Sequence, residues 1–446
     1  MRSDVPLIAI SIVVVLSAGA LHVSAQEPAP SQEPAVVQED PRQRAIAYYQ
    51  QGMGAYQRKD YIGYLDSLQK AVELDPDHPA IRYRLACASA LVGNKDEALA
   101  DLKRVIEMKV YQDLAGNTDF DSMRQTPEFQ ALAASMRAVR DPINHSTTAF
   151  HLTEKDLITE GIAYDPVEAE FFISSVHKRK ILRSNRKGRT KDFTAPRQDG
   201  LGAVLGLKVD PVRRLLWACS TGMPQMEGAT DEEKGRAALF KYDLKAGTFV
   251  RRYPLGAGMP GHNCNDLALG SGGDVYVSDS ESGEILLLGA GAEDFVVLVE
   301  AGRLKSPQGI ALSPDEKRAF VADYATTIFV VDLAARRADP LTAPAGIPLL
   351  GVDGLILHGG SLIAIQNGIN PHRVTRLAMS SALDRIIGGT ILEMNNPIFD
   401  EPTLGTIAGK ELFYVGNSQW SRFAADGTIY PMNRLAEPVI LKLKLD

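Results

Sequence analysis

Four oxygen-bearing residues recur at one place in a repeated pattern. They are Glu160, Asn265, Gln308 and Asp353, each followed by Gly or Asp and then by a short apolar strand. A fifth copy, Leu205-Gly206, keeps the glycine without the oxygen. Repeats that hold the strand and vary this one position, mostly among oxygen donors, describe strands converging on a common axis. Carboxylate and amide oxygens around one point suit a hard divalent cation, Ca²⁺ first, with Zn²⁺ or Mn²⁺ as alternatives. A desolvated carboxylate at a narrow mouth needs a counter-charge, and a metal supplies one. The competing reading is a water-filled channel that solvates the acids. Asp266, where the other copies carry Gly, is expected to make a local turn bond.

The elements that must carry these residues are short strands in pairs, separated by Asp-Pro, Gly-Gly and Ser-Pro-Asp turns. Gly161, Gly206, Asp266, Gly309, Gly354 and Leu404 recur at spacings of 45, 60, 43, 45 and 50 residues. Third strands follow each pair, so residues 147–446 are expected to form an all-β six-bladed propeller with four strands per blade. The long second spacing holds an insertion, 222–235, placed to act as a lid. Segment 147–152 is expected to pair with 439–445 as the outer strand of the last blade. Such closure joins the chain ends and removes an open edge. Truncation to Arg140 would then leave that strand in place, whereas truncation to Leu152 would remove it. Innermost strands of a propeller run parallel, so their starts share a face with the turns after the second strands. By that rule His177, His262, His372 and Trp420 join the column at the mouth. The basic run 178–191 reads as a solvated strand and turn.

Residues 43–140 follow another period. Leu65 and Leu99, Leu68 and Leu102, and Val72 and Ile106 stand at an offset of 34 residues. That period, with Ala71-Val72-Glu73-Leu74-Asp75-Pro76 closing the first unit, resembles the tetratricopeptide repeat, a helix-turn-helix unit. Phe120, Met123, Phe129 and Leu132 fit the apolar face of a terminal pair. The array is expected to be a spacer or docking platform for a protein partner, the alternative being a peptide groove.

The N-terminus has a weak basic end, an apolar run from Leu7 to Ala20 and small residues at Val23-Ser24-Ala25. Residues 1–25 are expected to be a signal peptide, the alternative being an uncleaved anchor. Residues 26–42, rich in Glu, Pro, Gln and Ala, read as a disordered linker. Either reading places the rest outside the cytoplasm, periplasmic or secreted, with no membrane span after signal cleavage. The net charge of −7 across 446 residues argues against a nucleic-acid partner. Three cysteines, Cys87, Cys219 and Cys264, show no metal spacing, and a Cys219–Cys264 pair is left open. No Gly-x-Ser-x-Gly elbow of a serine hydrolase occurs.

The C-terminal three hundred residues resemble the SMP-30/gluconolactonase/LRE-like propellers. The matching motifs are Glu160-Gly161, Asn265-Asp266, Gln308-Gly309 before Ser313-Pro314-Asp315, and Asp353-Gly354. The resemblance implies a divalent metal held by Glu160, Asn265, Gln308 and Asp353, with Asp353 as catalytic base. It implies a lactone or other small ester as substrate, with Asn263, His262, His177, His372 and Trp420 as candidate substrate-binding residues. Two positions depart from the family: Gln308 stands for a ligating Asn, and Asn263 for a substrate-binding Arg. The expected activity is an exported, metal-dependent hydrolase of lactone-like esters. The alternative is a non-catalytic propeller and helical scaffold that binds a ligand or partner.

Overall fold

The computed structural model describes residues 40–424 and 426–445. The expected signal peptide and most of the expected linker lie outside the described residues. The helical part begins earlier than expected. Asp40 caps the first helix through its side chain, and the helix starts at Pro41, so the linker does not run to residue 42. Five α-helices follow: α1 (Pro41–Gln57), α2 (Tyr61–Leu74), α3 (Pro79–Val92), α4 (Lys95–Glu107) and α5 (Pro127–Ala138). Proline opens α1, α3 and α5, where its missing N–H costs nothing. Gly93, at φ 92°, ends α3 in the left-handed conformation. Phe120, Met123 and Phe129 are buried as the apolar pattern required, and Leu132 packs beside them.

Among the described residues the strands form six four-stranded sheets. Blade 1 runs Ile162–Asp165, Glu170–Ser175, Lys180–Asn185, Thr190–Asp192. The inner strands of blades 2 to 6 are Ala203–Asp210, Cys264–Leu269, Pro307–Leu312, Val352–His358 and Gly405–Ala408. The recurrent glycine has a steric cause. A Cβ at Gly206 would stand 2.6 Å from the Asn265 carbonyl oxygen, and one at Gly354 would stand 2.7 Å from that of Thr403. Glycine lets each inner strand close onto the next blade.

The ring closes as expected. Strand Thr147–His151 pairs antiparallel with Val439–Lys444, at the outside of the sheet that holds Gly405–Ala408. Phe150 packs 5.7 Å from Phe171, so the closing strand also joins blades 6 and 1. Phe150→Ala should cost about 3 kcal/mol in urea unfolding. No loss of stability would mean that this strand does not hold the ring.

Helices and blades form one compact unit, Glu39–Asp446. The helices sit on the mouth face, against the loops entering and crossing blades 4 and 5. Gly346 N–H donates to Asp77 Oδ1 at 3.0 Å, and Tyr111 N–H donates to the Asn370 carbonyl at 2.7 Å. Truncation to Arg140 would therefore spare the closing strand and still uncover blades 4 and 5.

The basic run 178–191 is solvated only in its second half, where Arg186, Lys187, Arg189 and Lys191 are exposed. Lys178 bridges Asp156 and Glu227, Arg179 bridges Glu233, and Lys180 bridges Glu154 and Asp192. Arg179 and Lys180 are buried. Through Glu227 and Glu233 this strand ties down the 222–235 insertion. Cys219 and Cys264 pair as a disulfide joining blades 2 and 3, and Cys87 is free and buried.

Candidate functional site

Each column residue lies at or just before the start of an inner strand. Glu160, Asn265 and Asp353 are 4%, 4% and 6% exposed, and Gln308 is half-buried. Burial lifts Glu160 well above the usual carboxylate range, and the Asp353 charge adds to the lift, so the two acids lie within electrostatic reach of one another. Burial pushes Asp353 up to about 7, against a hydrogen bond from Asn367 that pulls it down. The neighbouring charges of Asp266 and Glu401 raise both acids. Glu401 is itself raised by burial and accepts the Ser421 N–H at 2.9 Å.

Trp420 does more than wall the pocket. Its indole N–H donates to Glu160 Oε2 at 2.7 Å. Asn265 Nδ2 donates to Gln308 Oε1, which occupies that Gln308 oxygen and leaves Asn265 Oδ1 for another partner. Asp266 overturns the turn-bond expectation. It is buried and pairs across blades with Lys208 Nζ at 2.8 Å. Lys208 is thus committed to Asp266, and Arg422 to Asp400 at 2.7 Å. Among the described residues Glu160, Asp353 and Glu401 have no basic side chain bonded to them. Two buried acids without a basic partner, with the half-buried Glu401 and amide oxygens beside them, form a cation-seeking site. The donor set fits Ca²⁺: oxygen throughout, and no sulfur. Asn367 Oδ1, buried and without a partner, offers a further oxygen beside Asp353.

No family model matches this chain, and no curated protein does. Structural neighbours of this chain are gluconolactonase and regucalcin structures. A gluconolactonase from Xanthomonas campestris is 16% identical, covering 69% of this chain and 93% of its own, with a TM-score of 0.47. A calcium-binding protein, regucalcin, from Agrobacterium tumefaciens is 16% identical, covering 67% and 94%, with a TM-score of 0.48. A PQQ-bound aldose sugar dehydrogenase from Streptomyces coelicolor is 16% identical, covering 66% and 96%, with a TM-score of 0.45. The chemistry of this chain therefore rests on its own side chains.

Among the described residues no histidine ring is hydrogen-bonded to a residue of the acid column. His262 Nδ1 bonds Asp279 Oδ2 at 2.6 Å, and a side chain at Gly256 would collide with its Nε2, so both ring nitrogens are enclosed. His262, Asp279 and Glu284 have the spacing of a metal cluster. Asp279, however, already accepts from His262 and from the backbone of Asn263 and Ser282, as in a tight turn. Asn263 turns its amide to Ser280 Oγ at 2.8 Å. His177 is buried beneath the insertion, with Nδ1–H donating to the Gln225 carbonyl at 2.7 Å. It lines a pocket of about 680 Å³ with Met223, Met226, Thr230 and Ile429. Burial lowers the pKa of His372, which keeps the ring neutral, and Asp400 is its nearest acidic influence.

Sequence reasoning missed Asn367, Glu401 and Tyr324 as parts of this site. Asn367 and Tyr324 fall on turns after second strands, which the face rule had already placed at the mouth. Glu401 sits on the loop entering blade 6, and only its position before an inner strand could have marked it.

Proposed function

We propose that this chain is an exported, metal-dependent hydrolase of lactone-like esters. The observation that carries the reading is the pair of neighbouring buried acids, Glu160 and Asp353, beside amide oxygens and without a basic partner. Glu160, Asn265 Oδ1 and Asp353 would hold the ion, with Gln308 and Asn367 Oδ1 at its edge. A bound Ca²⁺ would supply a Lewis acid for the ester carbonyl and charge stabilisation for the oxyanion that forms.

The protein's own groups do the rest. Asn367 fixes Asp353 Oδ2, leaving the other carboxylate oxygen to take a proton from the attacking water. Trp420 fixes Glu160 and covers it with an apolar ring. The His177 pocket beneath the insertion is placed for the substrate's remaining atoms. Asn263, occupied with Ser280, argues against a gluconolactone-type sugar. The disulfide and the expected signal peptide support a periplasmic or secreted location. The 34-residue offset supports the tetratricopeptide-like reading of the helices. The Gln308–Asn265 bond favours the second reading, a scaffold that binds a ligand without turnover.

The deciding experiment is metal analysis of the purified full chain, then Ca²⁺ calorimetry and a lactone panel with and without chelator. Turnover that a chelator abolishes and Ca²⁺ restores is expected. If no divalent ion binds and no lactone turns over, the scaffold reading replaces this one.

A further inference from the structure

Asp353 is held by a segment that the helices hold in turn. Asn367 Nδ2 donates to Asp353 Oδ2 at 2.7 Å and to the Pro402 carbonyl at 3.1 Å. Asn367 therefore spans blade 5 and the loop entering blade 6. One residue on, Gly368 N–H donates to the Gly351 carbonyl at 3.1 Å. A Cβ at Gly368 would stand 2.7 Å from Tyr324 Cζ, so its backbone lies hard against that ring. Tyr324 is held protonated mainly by burial, with the charges of Asp353, Glu401 and Glu160 adding to it. Asn367 and its neighbour thus have little freedom beside the acids.

The following residues belong to the helices. Ile369 is 6% exposed and lies in the apolar core of the helical array, with Leu350 packed against it. The Asn370 carbonyl accepts the Tyr111 N–H at 2.7 Å. Arg373, 2% exposed, donates to the carbonyls of Met108, at 3.2 Å, and of Lys109, both just past the end of α4. It also donates to the Pro371 carbonyl at 3.2 Å. Burial lowers its pKa only to about 10, so it is charged at neutral pH. Its partners are carbonyls rather than a carboxylate. Burying a guanidinium on such terms is costly, and the charge sits at a helix C-terminus, where the macrodipole favours a cation. A spacer resting on the ring would need none of this.

We propose that the helical array is a working part of the site: it fixes segment 367–373, and Asn367 is thereby the positioning residue for Asp353. The inference rests on the hydrolase reading for what Asp353 does, and not for how Asp353 is held.

The test uses the full chain with Arg373→Met, Arg373→Lys, Ile369→Ala and Asn367→Leu. The readouts are backbone hydrogen exchange at 352–354 and 366–370, Ca²⁺ affinity by calorimetry, and melting temperature as a control. Arg373→Met and Ile369→Ala should speed exchange in both segments and weaken Ca²⁺ binding about tenfold, as loss of a ligand's support typically does. Arg373→Lys should recover most of both effects. Asn367→Leu should weaken Ca²⁺ binding to the same extent while leaving 369–370 protected. Unchanged exchange at 352–354 when 366–370 loosens would overturn the proposal. If Arg373→Met does not fold, Ile369→Ala and Asn367→Leu decide it. If the wild type binds no divalent ion and turns over no lactone, the hydrolase reading fails, and exchange at 352–354 still decides this one.

Discussion

Asp353→Asn should lower lactone turnover by roughly 10³-fold, within the range that a general base contributes. The change is nearly isosteric. The new side chain keeps the shape and one oxygen, whose two lone pairs can accept from Asn367 Nδ2 and face a cation, while its NH2 replaces the other oxygen. What it loses is the charge and the basicity that burial has raised to about neutral. Ca²⁺ affinity should fall by about tenfold or less, because a neutral oxygen remains. The split between the two readouts is informative. If turnover and Ca²⁺ affinity collapse in parallel, Asp353 is a ligand and not the base. If turnover is unchanged, the site must be sought elsewhere, and the pocket beside His177 comes first.

The ring was legible in the sequence because it repeats. Each blade must bury an inner strand against its neighbour, so Gly161, Gly206, Gly309 and Gly354 mark the same close approach four times. The closing strand was legible because the blade holding 439–445 lacked an outer strand, and 147–152 stands just before the first inner strand. The column was legible for the same reason as the glycines it precedes. Asp266 was misread because its partner, Lys208, lies on another blade, and nothing in local spacing announces a cross-blade ion pair. The buried pairing of Arg179 and Lys180 was hidden likewise: a basic run looks solvated until the acids folded over it are known. The seating of the helices was the largest gap. It depends on Ile369 and Arg373, single residues without periodicity, whose partners lie more than 250 positions away. What the face rule could not give is the bonding of the histidines: Asp279 and Gln225, on turns of that same face, each take one ring nitrogen of His262 and His177.

Without a divalent ion, the acid pair should make the protein less stable as the pH rises, and Ca²⁺ should reverse that trend. Asp353 rises from 3.8 to about 7 on folding, and Glu160 rises from 4.5 in the same direction. A carboxyl with a raised folded pKa stabilises fully below its unfolded pKa, and that contribution is lost as pH climbs through the folded value. The loss therefore falls between about pH 4 and pH 8, the opposite of a salt-bridged acid. Asp353 alone contributes on the order of 4 kcal/mol, which corresponds to roughly 5 °C in a chain of this length, and Glu160 adds in the same direction. Other acids oppose it: partners hold Asp165 and Glu233 below their usual values, and those contributions appear as pH rises. The quantity to measure is thus a difference, the melting temperature of wild type minus that of Glu160→Gln/Asp353→Asn in chelator. That difference should fall from pH 4 to pH 8. Millimolar Ca²⁺ should raise the wild-type melting temperature at pH 8, where both acids are ionised. It should do little at pH 5, where protons hold the same oxygens, and little to the double variant at either pH. An equal Ca²⁺ effect at pH 5 and pH 8 would mean that these acids do not hold the ion. A flat difference in chelator would mean that their burial carries no energetic cost, and the argument for a cation at this mouth would go with it.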